Sequence, residues 1–174
     1  GEVFPRSPTL TVGELNLNEK PGLQWRNPKG PSWNGRLWKA WNGGGGDAFG
    51  HSHSWGSYVS RSLFATHPEY FAMGADGQRK AGDWICTSSP GLREHFASNV
   101  VAAIERGTRN PSLSPTDGRS YCQCPACKAQ DDPQVLEPSS GTVSISKRYV
   151  DFFDWVARRV VQKHPDQAVA YNNL

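Results

Sequence analysis

The chain has 174 residues, 36% of them hydrophobic, with a formal net charge of +3. That length supports one domain with a real core, and a mean hydropathy of −0.63 marks it as polar but globular. Lys and Arg are scattered with no run longer than two, which argues against a phosphate-binding track, and no stretch approaches the roughly 18 apolar residues of a membrane span.

Residues 1–47 read as a strand and loop region of the same domain as 48–174. "TLTVGELNL" alternates like a strand, and "GLQWRN" reads as a second. A long aromatic-bearing loop follows, with Trp33, Trp38, Trp41 and Trp55 set among Gly, Asn, Ser and His, and with Gly43 to Gly46 as a hinge. "HSHSW" (His51, His53, Trp55) has metal-pair spacing, although histidines in such a loop are more often simply polar. "THPEYF" brings His67 and Glu69, either as a capped helix start or as cleft residues.

From residue 83 the pattern sharpens. "DWICTSS" reads as a buried strand. Ser89 then Pro90 is an N-cap followed by proline at the first helical position, and Leu92, Phe96, Val100, Ala103 and Ile104 share one helical face that Gly107 ends. "PSLSPT" reads as a second strand. "SKRYVDFFDWVARRVVQKH" is an amphipathic helix with Tyr149, Phe153, Val156 and Val160 on its apolar face, and "QAVAYNN" is a third strand. Strand, helix, strand, helix, strand implies parallel pairing, so the expected fold is α/β, a partial or variant (β/α)8 barrel with long loops. A chain opening on Gly1 and stopping just past its last strand reads as part of a larger, incomplete barrel.

In such folds ligands gather at the carboxyl ends of the strands. Here those ends are Cys86–Thr87, Thr116–Asp117 and Tyr171–Asn172–Asn173. Asp117 lies in Pro-Thr-Asp-Gly, so it is either a turn aspartate bound to its own backbone or a catalytic or hydroxyl-binding carboxylate. Glycoside hydrolysis needs a second carboxyl, for which Glu69 is the candidate. Cys122-x-Cys124-x-x-Cys127, with Cys86, makes a set of four. Structural zinc, two disulfides and free or redox thiols all remain open, the redox pair being disfavoured because Cys124 and Cys127 are not expected at a helix start. His95 and His164 read as structural.

Together, "GHSHSW", "HPEYFAMGADGQRK", "WICTSSPGL", "SLSPTDGRSYCQCPACKA" and "HPDQAVAYNN" resemble, in order and over residues 48–173, a bacterial family known as a domain of unknown function, DUF4838-like. The resemblance implies a TIM-barrel, glycoside-hydrolase-like protein, similar to the hexosaminidase and α-glucuronidase groups and exported. On it, His51, His67, Glu69, Asp117, Tyr171 and the four cysteines fall at recurring positions. The expectation is a glycosidase acting on a polysaccharide or oligosaccharide, secreted or periplasmic. Asp117 and Glu69 are its catalytic candidates, and His51, His53, Trp55, His67, Tyr171 and Asn172 its sugar-binding candidates. No nucleic-acid or membrane partner is expected, and oligomeric state is open. The alternatives are a noncatalytic carbohydrate-binding domain and a zinc-clipped nucleic-acid-binding module.

Overall fold

The computed structural model describes residues 52–171 without interruption and, before them, residues 9, 11, 13, 14, 16, 22, 23, 25, 26, 38–40, 42–46, 49 and 50. The chain forms two compact units, Gly1–Asp47 and Ala48–Leu174. In the first, β1 (Trp25–Arg26) pairs antiparallel with β2 (Gly45–Gly46). The Arg26 guanidinium donates to the carbonyls of Gly43 (2.6 Å) and Leu23 (2.5 Å) and so ties the turn before β2. "GLQWRN" thus keeps two residues of strand, whereas the described residues of 9–17 are in none.

The second unit is built on helices. After α1 (Trp55–Tyr58) come 3-10 turns at Arg61–Ala65 and Pro68–Tyr70, then α2 (Pro90–Glu105), α3 (Pro125–Lys128) and α4 (Ser146–Lys163). Ser89 caps α2, its hydroxyl accepting from the Leu92 amide (3.4 Å), with Pro90 at the first helical position. Leu92, Phe96, Val100, Ala103 and Ile104 are all buried, as the spacing of their apolar side chains requires. They face Tyr149, Phe153, Val156 and Val160 of α4, also buried, and Phe96 meets Phe152 edge to face at 5.1 Å. Each such side chain at full burial contributes roughly 1.5–3 kcal/mol, so this helix pair carries much of the unit's stability.

The expected barrel is not there. Among the described residues the named strands are β1 and β2 alone, and neither a parallel sheet nor a (β/α)8 barrel is present. The three segments read as parallel strands survive as single bridges: Phe71 with Ile85 (antiparallel) and Ser112 with Ala170 (parallel). Side chains take the backbone groups that a ladder would use. The Ser112 carbonyl accepts from Ser54 Oγ (2.7 Å) and Tyr58 Oη (3.1 Å), and the Leu113 carbonyl accepts from Trp55 Nε1 (2.7 Å). The Ser112 hydroxyl reaches back to the Ser52 carbonyl (2.7 Å), and Pro111 and Pro115 have no N–H to offer. Gly50 runs against this segment so closely that a Cβ would sit 2.6 Å from the Ser112 nitrogen.

Trp55 is the organising core residue rather than a sugar platform. It is 1% exposed, stacks on Tyr149 at 5.7 Å, and meets Trp84, Phe96 and Phe152 edge to face. The sequence-based assignment of Trp55 to substrate binding is therefore corrected.

Candidate functional site

Two features sit side by side in the second unit. The first is a cysteine cage. Cys86 follows the Phe71–Ile85 bridge, Cys122 and Cys124 come from the loop that leads into α3, and Cys127 lies within α3. All four are buried, and their sulfurs lie within 4.8 Å of one another. Cys86 Sγ is 3.7 Å from Cys124 Sγ and 3.8 Å from Cys127 Sγ. A tetrahedron of sulfurs around zinc at about 2.3 Å has an edge of about 3.8 Å. A disulfide needs about 2.05 Å. The donor set and spacing therefore fit a four-thiolate metal site, and the cysteines are unbridged.

The surroundings suit thiolates. The Met73 amide donates to Cys122 Sγ (3.3 Å), and Ser88 Oγ lies 3.3 Å from Cys86 Sγ, 3.2 Å from Cys127 Sγ and 3.6 Å from Cys124 Sγ. Hydrogen bonds from Cys122, and then Cys127, pull the Cys86 thiol far below its usual range, while bonding to Cys127 pushes Cys122 up. For Arg79, burial opposes the charge, but its hydrogen bond and attraction to Cys86 outweigh it and raise the guanidinium pKa. Arg79 also donates to the Phe71 carbonyl, which pins the cation beside the cage. One expectation is corrected here: Cys124 is the N-cap residue of α3, so the Cys-x-x-Cys pair does open a short helix.

Behind the cage, Arg148 in the first turn of α4 is 1% exposed. Its Nη1 donates to the Cys122 carbonyl (2.9 Å), its Nε approaches Asp131 Oδ1 at 3.3 Å, and its guanidinium lies 5.4 Å from the Tyr121 ring and 5.5 Å from the Tyr149 ring. Burial raises the Asp131 carboxyl pKa, with Arg148 pulling against it.

The second feature is a cleft of about 370 Å³ whose walls include His53, Trp84, Asp117, Arg119, Tyr121 and Glu137. A neighbouring cleft of about 710 Å³ shares Trp84, Asp117, Arg119 and Tyr121 with it, so Asp117 stands where the two meet. Asp117 Oδ2 lies 3.2 Å from His53 Nε2, and His53 Nδ1 lies 2.5 Å from the Pro115 carbonyl. Because that carbonyl can only accept, Nδ1 carries the proton, and the ring is oriented with Nε2 toward the carboxylate. Among the described residues Asp117 meets His53 and takes no amide of its own turn. Gly118, at φ +106°, makes the reversal that presents it.

The other sequence candidates separate from this cleft. Glu69 pairs with His67 two residues away (3.2 Å), His67 stacks on Tyr70 at 4.7 Å, and neither residue lines the Asp117 clefts. Tyr171 stacks on Phe153 at 4.4 Å, is 41% exposed, and does not line the Asp117 clefts. His51 and Asn172 lie outside the described residues. Trp84, Tyr121, Arg119 and Glu137 were missed. Trp84 reads as strand core and Tyr121 as the residue before a ligand, but "LEPSSGTV" carries a turn signature at Ser140–Gly141 that would have placed Glu137 on a hairpin.

No match to the chain was found among curated proteins or among solved structures. A family model described as a domain of unknown function, DUF4838, matches residues 1–172, and the chain therefore belongs to that family.

Proposed function

We propose that the chain is the glycan-handling part of a glycoside hydrolase and that the Asp117 clefts receive the sugar. One observation carries this reading: Asp117, oriented by His53, stands exposed beside Trp84 and Tyr121 where two clefts join. Aromatic rings supply apolar faces for sugar rings, and a carboxyl group supplies an acceptor for hydroxyls when ionised or a proton for a glycosidic oxygen when protonated. The side chain of Asp117 is 95% exposed, so a bound sugar would be what removes it from water. The reading carries with it a polysaccharide or oligosaccharide substrate and export from the cell.

The cysteine cage is proposed to hold zinc as a structural ion. Closed four-sulfur sites have no open position for chemistry, so the metal's contribution is to fix the loop between Asp117 and α3. The test is a glycan panel scored for released reducing sugar and for binding, with wild type beside Asp117→Asn. Cleavage lost in Asp117→Asn with binding kept supports the hydrolase. Binding with no cleavage by either protein gives a noncatalytic sugar-binding domain. Neither binding nor cleavage of any glycan refutes the reading.

A further inference from the structure

We propose that Glu137 is the second carboxylate of the Asp117 cleft and acts with Asp117 on the glycosidic bond. This inference rests on the hydrolase reading above. Glu137 lines the same cleft as Asp117, His53, Trp84 and Tyr121. It sits on a hairpin closed by the Leu136–Val143 bridge and by the Glu137 amide donating to the Thr142 carbonyl (2.8 Å). Its Oε1 accepts from Ser144 Oγ (2.5 Å) and from Ser146 Oγ (3.4 Å). Ser144 is itself held by its amide on the Val135 carbonyl (2.8 Å).

Glu137 therefore differs from the other acids near the clefts. Asp83 is spent on Arg61 and Asp76 on Lys80, both as ion pairs. Glu137 is half-buried, and among the described residues it has no cationic partner. Two hydroxyls fix one oxygen and leave the other for a ligand. That second oxygen is left uncommitted in the cleft that Trp84, Tyr121 and Asp117 also line.

One carboxyl of the pair, in its acid form, gives its proton to the glycosidic oxygen as the bond from that oxygen to the anomeric carbon breaks. The other, as carboxylate, takes a proton from a water whose oxygen bonds to the anomeric carbon. The net change is one water added across one glycosidic bond, and the carboxyls return to their starting states by exchanging protons with solvent.

The experiment uses the full chain and its Glu137→Gln and Glu137→Ala forms, with cellohexaose, xylohexaose, chitohexaose and 4-nitrophenyl glycosides as probes. Thermal melting checks the fold. The expected result is a kcat lower by about a hundredfold or more in Glu137→Gln, with KM and melting little changed, and turnover of Glu137→Ala partly restored by sodium azide. A merely structural glutamate would not respond to azide. Wild-type cleavage with Glu137→Gln within threefold of it overturns the inference and leaves the cleft reading standing. Absence of wild-type cleavage on every probe overturns both.

Discussion

The buried Arg148 gives the most quantitative test of how this unit is held together. Replacing it with Met keeps most of the volume and removes the charge. Three contacts are lost: the hydrogen bond to the Cys122 carbonyl (2.9 Å), the approach to Asp131 (3.3 Å), and the cation over Tyr121 and Tyr149. Breaking a buried pair costs about 3–5 kcal/mol because the remaining charge is left unpaired. Here the low end applies, because Asp131 Oδ1 and Arg148 Nε lack hydrogen-bond alignment. At about 3 kcal/mol, and 2–4 °C per kcal/mol for a domain of this size, melting should fall by roughly 6–12 °C at pH 7. The loss should also depend on pH. Burial already raises the Asp131 pKa, and without Arg148 only the weaker attraction of Lys128 pulls it back. With the folded pKa above the unfolded one, the ionised carboxylate destabilises the fold at neutral pH. Protonation removes that penalty, so the deficit of Arg148→Met should shrink as pH falls through the raised pKa. Thermal melting of wild type, Arg148→Met and Arg148→Met/Asp131→Asn between pH 4 and 8 is the assay. A deficit under about 1 kcal/mol, or one that grows on acidification, would refute the reasoning.

Removing the metal with a chelator, or making Cys124→Ser, should lower melting and glycan cleavage together, and metal analysis of the purified protein should give one zinc per chain; a metal-free protein with unchanged melting would refute the clip. Asp117→Asn should leave stability within about 1 kcal/mol, because its pair with His53 is solvent-exposed, while abolishing cleavage. Unfolding of that variant would return Asp117 to the role of a turn residue. Gly118→Ala meets no neighbour within 4 Å, so its cost of about 1–2 kcal/mol should come from φ +106° alone, and equilibrium denaturation should show it. Phe96→Ala should cost about 3–5 kcal/mol in the same assay, since Phe96 packs against Trp55, Tyr58 and Phe152 at 0% exposure.

What was legible in the sequence follows from which forces are local. The two long helices were readable because their apolar side chains recur at 3.6-residue spacing and because Ser89–Pro90 and Gly107 punctuate α2. The cage was readable because three cysteines crowd into six residues. The barrel was misread because short apolar runs say nothing about which partner takes their hydrogen bonds. Around Ser112 those partners are the side chains of Ser54, Trp55 and Tyr58, more than fifty residues away. Trp55 looked like a loop aromatic because its neighbours are Gly, Ser and His, yet its indole N–H finds the Leu113 carbonyl inside the core. Arg148 looked like an ordinary basic residue on a helix, and only the fold brings Asp131 and the Cys122 carbonyl to it.

The cage and the cleft are best understood as one mechanical unit. Asp117 is exposed, and its turn contains a glycine at positive φ, two features that ordinarily leave a side chain free to wander. It is constrained from both sides instead. On one side the Pro115 carbonyl holds the His53 ring, whose other nitrogen meets the carboxylate. On the other, four residues on, Tyr121 sits against the Arg148 guanidinium, and Cys122 enters the cage with its carbonyl held by that same guanidinium. The Gln123 amide then donates to the Met73 carbonyl (2.8 Å), which fastens the segment to the strand-like stretch that carries Arg79. A cleft wall of about five residues strung between two fixed points needs no regular secondary structure to keep its shape. On the proposed function, the sulfurs would act on the chemistry without taking part in it, by setting one anchor of the turn that presents Asp117.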